Sequence, residues 1–234
     1  MNFLKAEWRK LAIINYEINP DLLLQYLPEG TELDFYRGKC YVSLVGFMFL
    51  NTRLLGLPIP FHRNFEEVNL RFYVKKKENG IWKRGVVFIK EIVPKPALSF
   101  VANSIYKENY HTMPMKNLIH EKEDELLIRY SWKDKSWHSL QITAGNKAQT
   151  METDSEFEFI TEHYWGFTKN ENKTSEYEVC HPKWEYYLIK DYKLDIHFGN
   201  IYGKDFECLD RQEPVSVMLA EGSEIQVRTK KYTI

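Results

Sequence analysis

A chain of 234 residues with a formal net charge of −1 is long enough for one sizeable core and has no basic excess to draw it to nucleic acid. Hydrophobic residues at 44% mark an ordered globular protein, and an aromatic share of 15% favours strands over helices. Three dispersed cysteines, Cys40, Cys180 and Cys208, supply neither a disulfide framework nor a zinc-binding spacing.

The start, Met1 to Trp8, lacks a basic region followed by an apolar one, so no signal peptide is expected. No apolar run approaches the roughly 18 residues that span a bilayer. The expectation is a soluble, cytoplasmic protein, with no membrane and no nucleic acid among its partners.

Lys10 to Ile18 reads as a strand, and Asn19-Pro20 then supplies a cap and a first-turn proline for a short helix, Asp21 to Leu27. A hairpin follows, Glu32 to Tyr36 and Cys40 to about Leu50, turning at Arg37-Gly38. Its second arm is almost wholly apolar, so both faces need cover. That strand and the loop Leu54 to Phe61, stiffened by Pro58 and Pro60, fit either a subunit interface in a homo-oligomer or a core with a covering flap.

Two long strands, Glu66 to Lys77 and Ile81 to Val93, are hinged at Asn79-Gly80, a strong hairpin signal. A helix is expected over 97–108, then strands at Met115 to Lys122, Glu125 to Lys133 and Trp137 to Ala144. Ser155 to Trp165 reads as a second helix capped from Thr153 to Ser155. A hairpin with a polar tip at Lys169 to Lys173 leads to Ser175 to Cys180, and a strand runs from Tyr186 to Phe198. The tail suggests a last hairpin, Val215 to Ala220 and Ile225 to Thr229, over Glu221-Gly222. No repeat or linker divides the chain, so a single domain over residues 1–234 is expected. It is α+β and mainly antiparallel β, with two or three helices.

The segment Phe65 to Val74 alternates strictly. Val68, Leu70, Phe72 and Val74 share one strand face, and Glu67, Asn69, Arg71 and Tyr73 share the other at about 7 Å spacing. A carboxylate, an amide, a guanidinium and a phenol in one row line a polar pocket or face water. Arg71 suits a substrate carboxylate through its planar fork, or a structural pair with Glu67. A two-residue turn at Asn79-Gly80 sets Lys90 opposite Asn69, on the polar face and in reach of Glu67. A one-residue shift instead sets Glu91 opposite Glu67 and turns Lys90 away. The residues alone leave both registers open.

His163 lies beside Glu162, and no HxH or HExxH spacing exists, so no metal and no cofactor is expected. No Gly-x-Ser-x-Gly elbow or phosphate-cradling glycine loop occurs. Trp132, Trp137, Trp165 and Trp184 fit cross-strand packing or a cavity wall. Lys107, at the end of the expected helix, reads as a solvated charge.

Trp8, the Leu27-Pro28-Glu29-Gly30 step, the Glu67-Val68-Asn69-Leu70-Arg71-Phe72-Tyr73-Val74 strand, Gly85-Val86-Val87-Phe88 and His181-Pro182-Lys183-Trp184 together resemble the uncharacterised DUF2071, or YqjF-like, family over nearly the whole chain. That family is grouped by fold with acetoacetate decarboxylase. The resemblance implies a curved antiparallel sheet closing into a cone or barrel around a pocket, with helices outside. It also implies a pocket position for Glu67. The decarboxylases place a Schiff-base lysine in a Pro-Lys-Lys step, and Asn109-Tyr110-His111 stands there in this chain, which argues against decarboxylation. Candidate ligand-binding residues are thus Glu67, Asn69, Arg71, Tyr73, Lys90, His111 and His181. The expected ligand is a small organic acid; the alternatives are a lyase or other enzyme without the lysine, and a structural protein with a solvated strand face.

Overall fold

The computed structural model describes residues 2–105, 108–170, 173–228 and 231–233. In chain order the elements are β1 (Asn2–Glu17), β2 (Glu32–Leu33), β3 (Tyr41–Leu54), β4 (Leu57–Pro58), β5 (Phe65–Glu78), β6 (Ile81–Val93), α1 (Pro96–Ile105), β7 (Tyr110–Thr112) and β8 (Met115–Glu121). They continue as β9 (Leu126–Lys133), β10 (Trp137–Gln149), α2 (Glu156–Thr161), β11 (Trp165–Asn170), β12 (Lys173–Cys180), β13 (Tyr186–Asp195), α3 (Phe198–Tyr202), β14 (Ser216–Arg228) and β15 (Lys231–Thr233). Lys107 lies outside the described residues, as do Glu171 and Asn172 of the expected hairpin tip.

Seven of the strands form a ring in the order β12–β11–β6–β5–β3–β1–β14, and β14 returns to β12. It is a curved ring rather than a strict barrel, because two of its joints are very short. β11 meets β6 in parallel through Trp165/Gly85 and Gly166/Val86. β12 meets β14 through Val179/Val227 and Cys180/Gln226. Beyond β14 the sheet continues as an arm, β13–β10–β9–β8.

Side chains alternate across a strand, so a two-sided sheet needs two cores. The outer one holds Ile14, Leu44, Leu70 and Phe72 of the ring against Ile128, Tyr130 and Ile142 of the arm and Phe198 and Phe206 of the helical segment beyond β13. The inner one holds Ile13, Val45, Phe49, Phe65 and Val86 with Phe157, Phe159 and Ile160 of α2. α2 thus fills part of the ring. Ser155 caps it as expected, its Oγ accepting the Glu158 N–H at 3.1 Å. The apolar β3 is core on both faces, whereas Leu55, Leu57 and Phe61 of the following loop stand exposed.

Several local expectations are corrected. The turn at Arg37-Gly38 forms, but Glu32–Leu33 pairs with Lys75 and Val74 of β5 rather than with β3. The helix expected to Trp165 stops at Thr161, and Trp165 opens a strand. Asp21 to Leu27 is two 3-10 turns, Pro20–Leu22 and Leu24–Tyr26. Residues 198–211, read past without a helix, carry α3 and a 3-10 stretch whose Phe198, Ile201 and Phe206 are buried. The tail is one strand and not a hairpin. Gly222 has φ +82°, and a Cβ there would sit 2.0 Å from the Trp8 carbonyl oxygen. Lys10 in the facing strand is also left-handed at φ 56°. Both strands kink together, so β14 follows β1 across the bend from Ser216 to Val227.

Candidate functional site

The β5–β6 hairpin opens as its turn residues dictate, with Glu78 opposite Ile81 and pairing regular down to Arg71 opposite Phe88. There the register shifts by one residue at Ile89, so Leu70 faces Lys90 and Asn69 faces Glu91. The far half therefore matches neither register set out from the sequence: the shift runs opposite to the alternative, and Glu91 stands across from Asn69 rather than Glu67. The turn fixes the near half, and the far half presents Glu91 to the inner face and Lys90 to the outer one.

The inner face at this end of the ring encloses a cavity of about 210 Å³. Its wall is mainly apolar and rich in aromatics, with Trp8, Phe47, Phe49, Phe65, Trp165 and Trp184 among the lining residues. Phe49 stacks on Phe65 at 4.7 Å, and Trp8 meets Trp184 edge-on at 6.3 Å. Polar groups converge from β5, β6, β7, the segment after α2 and the step after β12: Glu67, Asn69, Arg71, Glu91, Tyr110, His163 and His181 line the same space. Leu98 and Val101 of α1, His62 of the loop after β4 and Glu108 before β7 also line it.

Glu67 is 2% exposed. Asn69 Nδ2 donates to its Oε1 at 2.9 Å and Tyr110 Oη to its Oε2 at 3.1 Å. Burial, aided by nearby Glu108, pushes its pKa up to about 7 against those two bonds and the Arg71 charge. Burial and the Glu67 charge hold the Tyr110 phenol far above its ordinary value. Glu67 and Tyr110 therefore form a proton-rich pair at neutral pH.

Arg71 is 9% exposed, and its Nη2 makes a long 3.4 Å hydrogen bond to the Ile160 carbonyl. Its Nε has no partner, and no carboxylate among the described residues lies within 4.0 Å of the guanidinium. The structural pair with Glu67 is therefore not formed. His181 stacks on Trp184 at 4.1 Å, with Nδ1–H donating to the Pro182 carbonyl at 2.8 Å. Burial pushes its pKa down to about 4, with Arg71 adding to the shift.

Glu67, Asn69, Arg71 and His181 thus meet in one cavity, and Tyr73, Lys90 and His111 do not. Tyr73 points inward but lies deeper, where its hydroxyl shares a 2.7 Å hydrogen bond with Ser43 and its ring packs on Phe159. The bulge turns Lys90 to the outer face, where Nζ hydrogen-bonds the Ile201 carbonyl. It forms no salt bridge to Glu67. His111 is exposed, its Nε2 2.9 Å from Asn109 Oδ1. The strand's polar face is not solvated, since Glu67, Asn69, Arg71 and Tyr73 are all buried. Of the tryptophans, Trp165 and Trp184 line the cavity, Trp132 is core and Trp137 is 40% exposed. Tyr110 and His163 escape the sequence reading as site residues, because long-range packings bring them in. The sequence offers Glu91 for the polar face only in the alternative register, and it reaches that face through the bulge.

Residues 5–224 match the model of the DUF2071 family, described as an uncharacterized conserved protein. The uncharacterized protein YqjF of Bacillus subtilis (strain 168) is 27% identical over 217 residues, which cover 91% of this chain and 85% of that protein. Among solved structures, acetoacetate decarboxylase from Legionella pneumophila superposes with a TM-score of 0.67 at 18% identity, covering 99% of this chain and 87% of the other. The enduracididine biosynthesis enzyme MppR complexed with pyruvate gives 0.68 at 10% identity, covering 99% and 91%. At such identities the likeness is one of fold, the acetoacetate decarboxylase-like ring of strands. No helix among the described residues is long and apolar enough to cross a membrane.

Proposed function

This chain belongs to the DUF2071 family, whose description assigns no chemistry, and we propose from its cavity that it binds a small organic acid inside the strand ring. Arg71 takes the carboxylate, Glu67 and Asn69 stand beside it, and the aromatic wall takes the apolar body of the ligand. The observation that carries this is the state of Arg71: a buried guanidinium with an unpartnered Nε and no carboxylate within 4.0 Å among the described residues. A buried cation with no carboxylate in direct contact is costly to keep, and a ligand carboxylate would supply that partner through two parallel hydrogen bonds. MppR, of the same fold, is complexed with pyruvate, a small acid of this class.

The test is a thermal-shift series of carboxylic acids of growing apolar body, run on the wild type and Arg71→Ala. At a ligand concentration of about 100 Kd the wild type gains roughly 5–10 °C, and the variant gains none. Equal shifts in the two proteins remove Arg71 from the site.

Turnover is the second reading, favoured by a carboxyl group that titrates near neutrality beside a phenol. On this reading the chemistry runs without a Schiff base, because Asn109-Tyr110-His111 stands where the decarboxylases carry their lysine. Borohydride trapping with acetoacetate or pyruvate, read by intact mass, then leaves the protein unmodified. A stable adduct restores the lysine mechanism.

A further inference from the structure

His163 follows directly on α2 and lines the cavity, yet acid binding as set out above gives it no task. Its ring is packed by two neighbouring aromatics and tied at Nε2. Tyr73 and Phe159 pack on it at 4.8 and 5.0 Å. Its Nε2–H donates to Asp34 Oδ2 at 3.2 Å, and the same oxygen accepts from Arg84 Nε at 2.7 Å. Burial alone would raise the Asp34 pKa, but these two hydrogen bonds outweigh it and hold the carboxylate ionised. Burial pushes the His163 pKa down to about 4, so the imidazole is neutral; with its one proton on Nε2, Nδ1 is a pure acceptor. That Nδ1 is buried and has no partner.

Arg71 is the neighbour of this orphan acceptor. Its guanidinium lies 5.7 Å from the centroid of the same Tyr73 ring, and its Nη2 reaches the carbonyl of Ile160, three residues before His163. The cavity therefore offers an unpaired cation and, close by, an unpaired neutral acceptor on a clamped ring. A ligand that satisfies both carries a carboxylate and a hydrogen-bond donor. A keto group offers only lone pairs; a hydroxyl or an ammonium can donate, the ammonium drawn by Glu67, Glu91 and Glu108 of the lining but repelled by Arg71. A hydroxyl donates without charge.

We propose that the ligand class is the hydroxy acids, with the carboxylate on Arg71 and the hydroxyl donating to Nδ1 of His163. The Asp34–Arg84 pair acts through His163, as the positioning group that fixes its tautomer. This inference rests on the acid-binding reading above.

Three acids with one skeleton separate the two ideas: 3-phenylpropionate, 3-phenyllactate and phenylalanine carry a hydrogen, a hydroxyl and an ammonium at the same carbon. Their phenyl ring suits the aromatic wall. Titration calorimetry on the wild type should find phenyllactate roughly tenfold or more tighter than phenylpropionate, since an unfilled acceptor penalises the deoxy acid. Phenylalanine should be the weakest. In His163→Phe the hydroxyl preference disappears while phenylpropionate keeps its affinity within about twofold. In Arg71→Ala both acids are lost. Equal affinities for the two acids on the wild type, both lost in Arg71→Ala, overturn the hydroxyl assignment and leave acid binding standing. Phenylalanine as tight as phenyllactate overturns the neutral donor. No binding by any of the three sinks acid binding and this inference together. Should His163→Phe not fold, imidazole nitrogen NMR of the wild type decides: phenyllactate moves the His163 Nδ1 resonance and phenylpropionate does not. An unmoved Nδ1 on saturation with phenyllactate overturns the proposal.

Discussion

On the outer face of β5, Val68, Leu70, Phe72 and Val74 are fully buried against the arm, while on the inner face Glu67 and Asn69 at 2% and Arg71 at 9% are buried around a cavity. Burial is nearly the same on the two sides, and its energetic meaning is opposite. Each apolar side chain on the outer face contributes roughly 1.5–3 kcal/mol by leaving water. The inner row loses hydration and regains it only in part, through the Asn69 and Tyr110 bonds to Glu67 and the long Arg71 contact. One strand thus divides its labour by parity: even-numbered Val68, Leu70, Phe72 and Val74 hold the ring against the arm, and odd-numbered Glu67, Asn69 and Arg71 carry a desolvation cost that the proposed ligand would offset.

Substitutions on the two faces should separate stability from binding. Leu70→Ala on the outer face should cost about 2–5 kcal/mol in urea unfolding at any pH, because the packed core cannot close over the gap. Loss below about 1 kcal/mol would mean that the outer face is less solid than its burial implies.

Glu67→Gln tests the inner face by pH. The folded pKa of about 7 lies above the ordinary 4.5, so the native state holds its proton more tightly than the unfolded chain. The resulting stability is complete below pH 4.5, falls as pH rises and is gone above about 7. Wild-type stability should therefore drop by about 3 kcal/mol across that window, and Glu67→Gln should abolish that drop. A wild-type curve that is flat there breaks the comparison.

Arg71→Met should leave unliganded stability unchanged or raise it by about 1 kcal/mol while abolishing acid binding, because an apolar chain of similar length replaces a buried charge that no carboxylate contacts. A loss of several kcal/mol would make Arg71 a structural residue. Tyr110→Phe is the mildest change, about 1 kcal/mol, but it removes a bond that lowers the Glu67 pKa. The midpoint of the pH-dependent stability loss should therefore move upward in this variant; a downward move would reassign the phenol.

The inner row was legible because strand parity is local. Glu67, Asn69 and Arg71 share a face from their spacing alone, and the turn residues Asn79 and Gly80 announce their own hairpin. Lys90 was not legible, since the bulge at Ile89 depends on what packs on both sides of β6. Tyr73 has the right parity, but depth along the ring is set by Ser43 and Phe159 in other strands and helices. His163 joins the site through Asp34, 129 residues away in sequence. The kink at Gly222 looks like a turn until its partner Lys10 is seen to bend with it.

The two joints that close the ring comprise two residue pairs each, and Trp165, Gly166, Val86, Val179 and Val227 of those joints also line the cavity. At the first joint a Cβ on Gly85 would come within 2.4 Å of the Trp165 carbonyl oxygen, so the strands meet backbone to backbone with no side chain as a spacer. Such a short ladder is the cheapest part of the ring to pull open, and it sets a kinetic property rather than an equilibrium one. Amide exchange at residues 165 and 180, whose N–H groups point away from the β11–β12 ladder, should outpace that of the long β1–β3 and β5–β6 ladders. A guest in the cavity, touching both sides of each joint, should slow it. The same joints would then govern how quickly a guest enters and how long it stays.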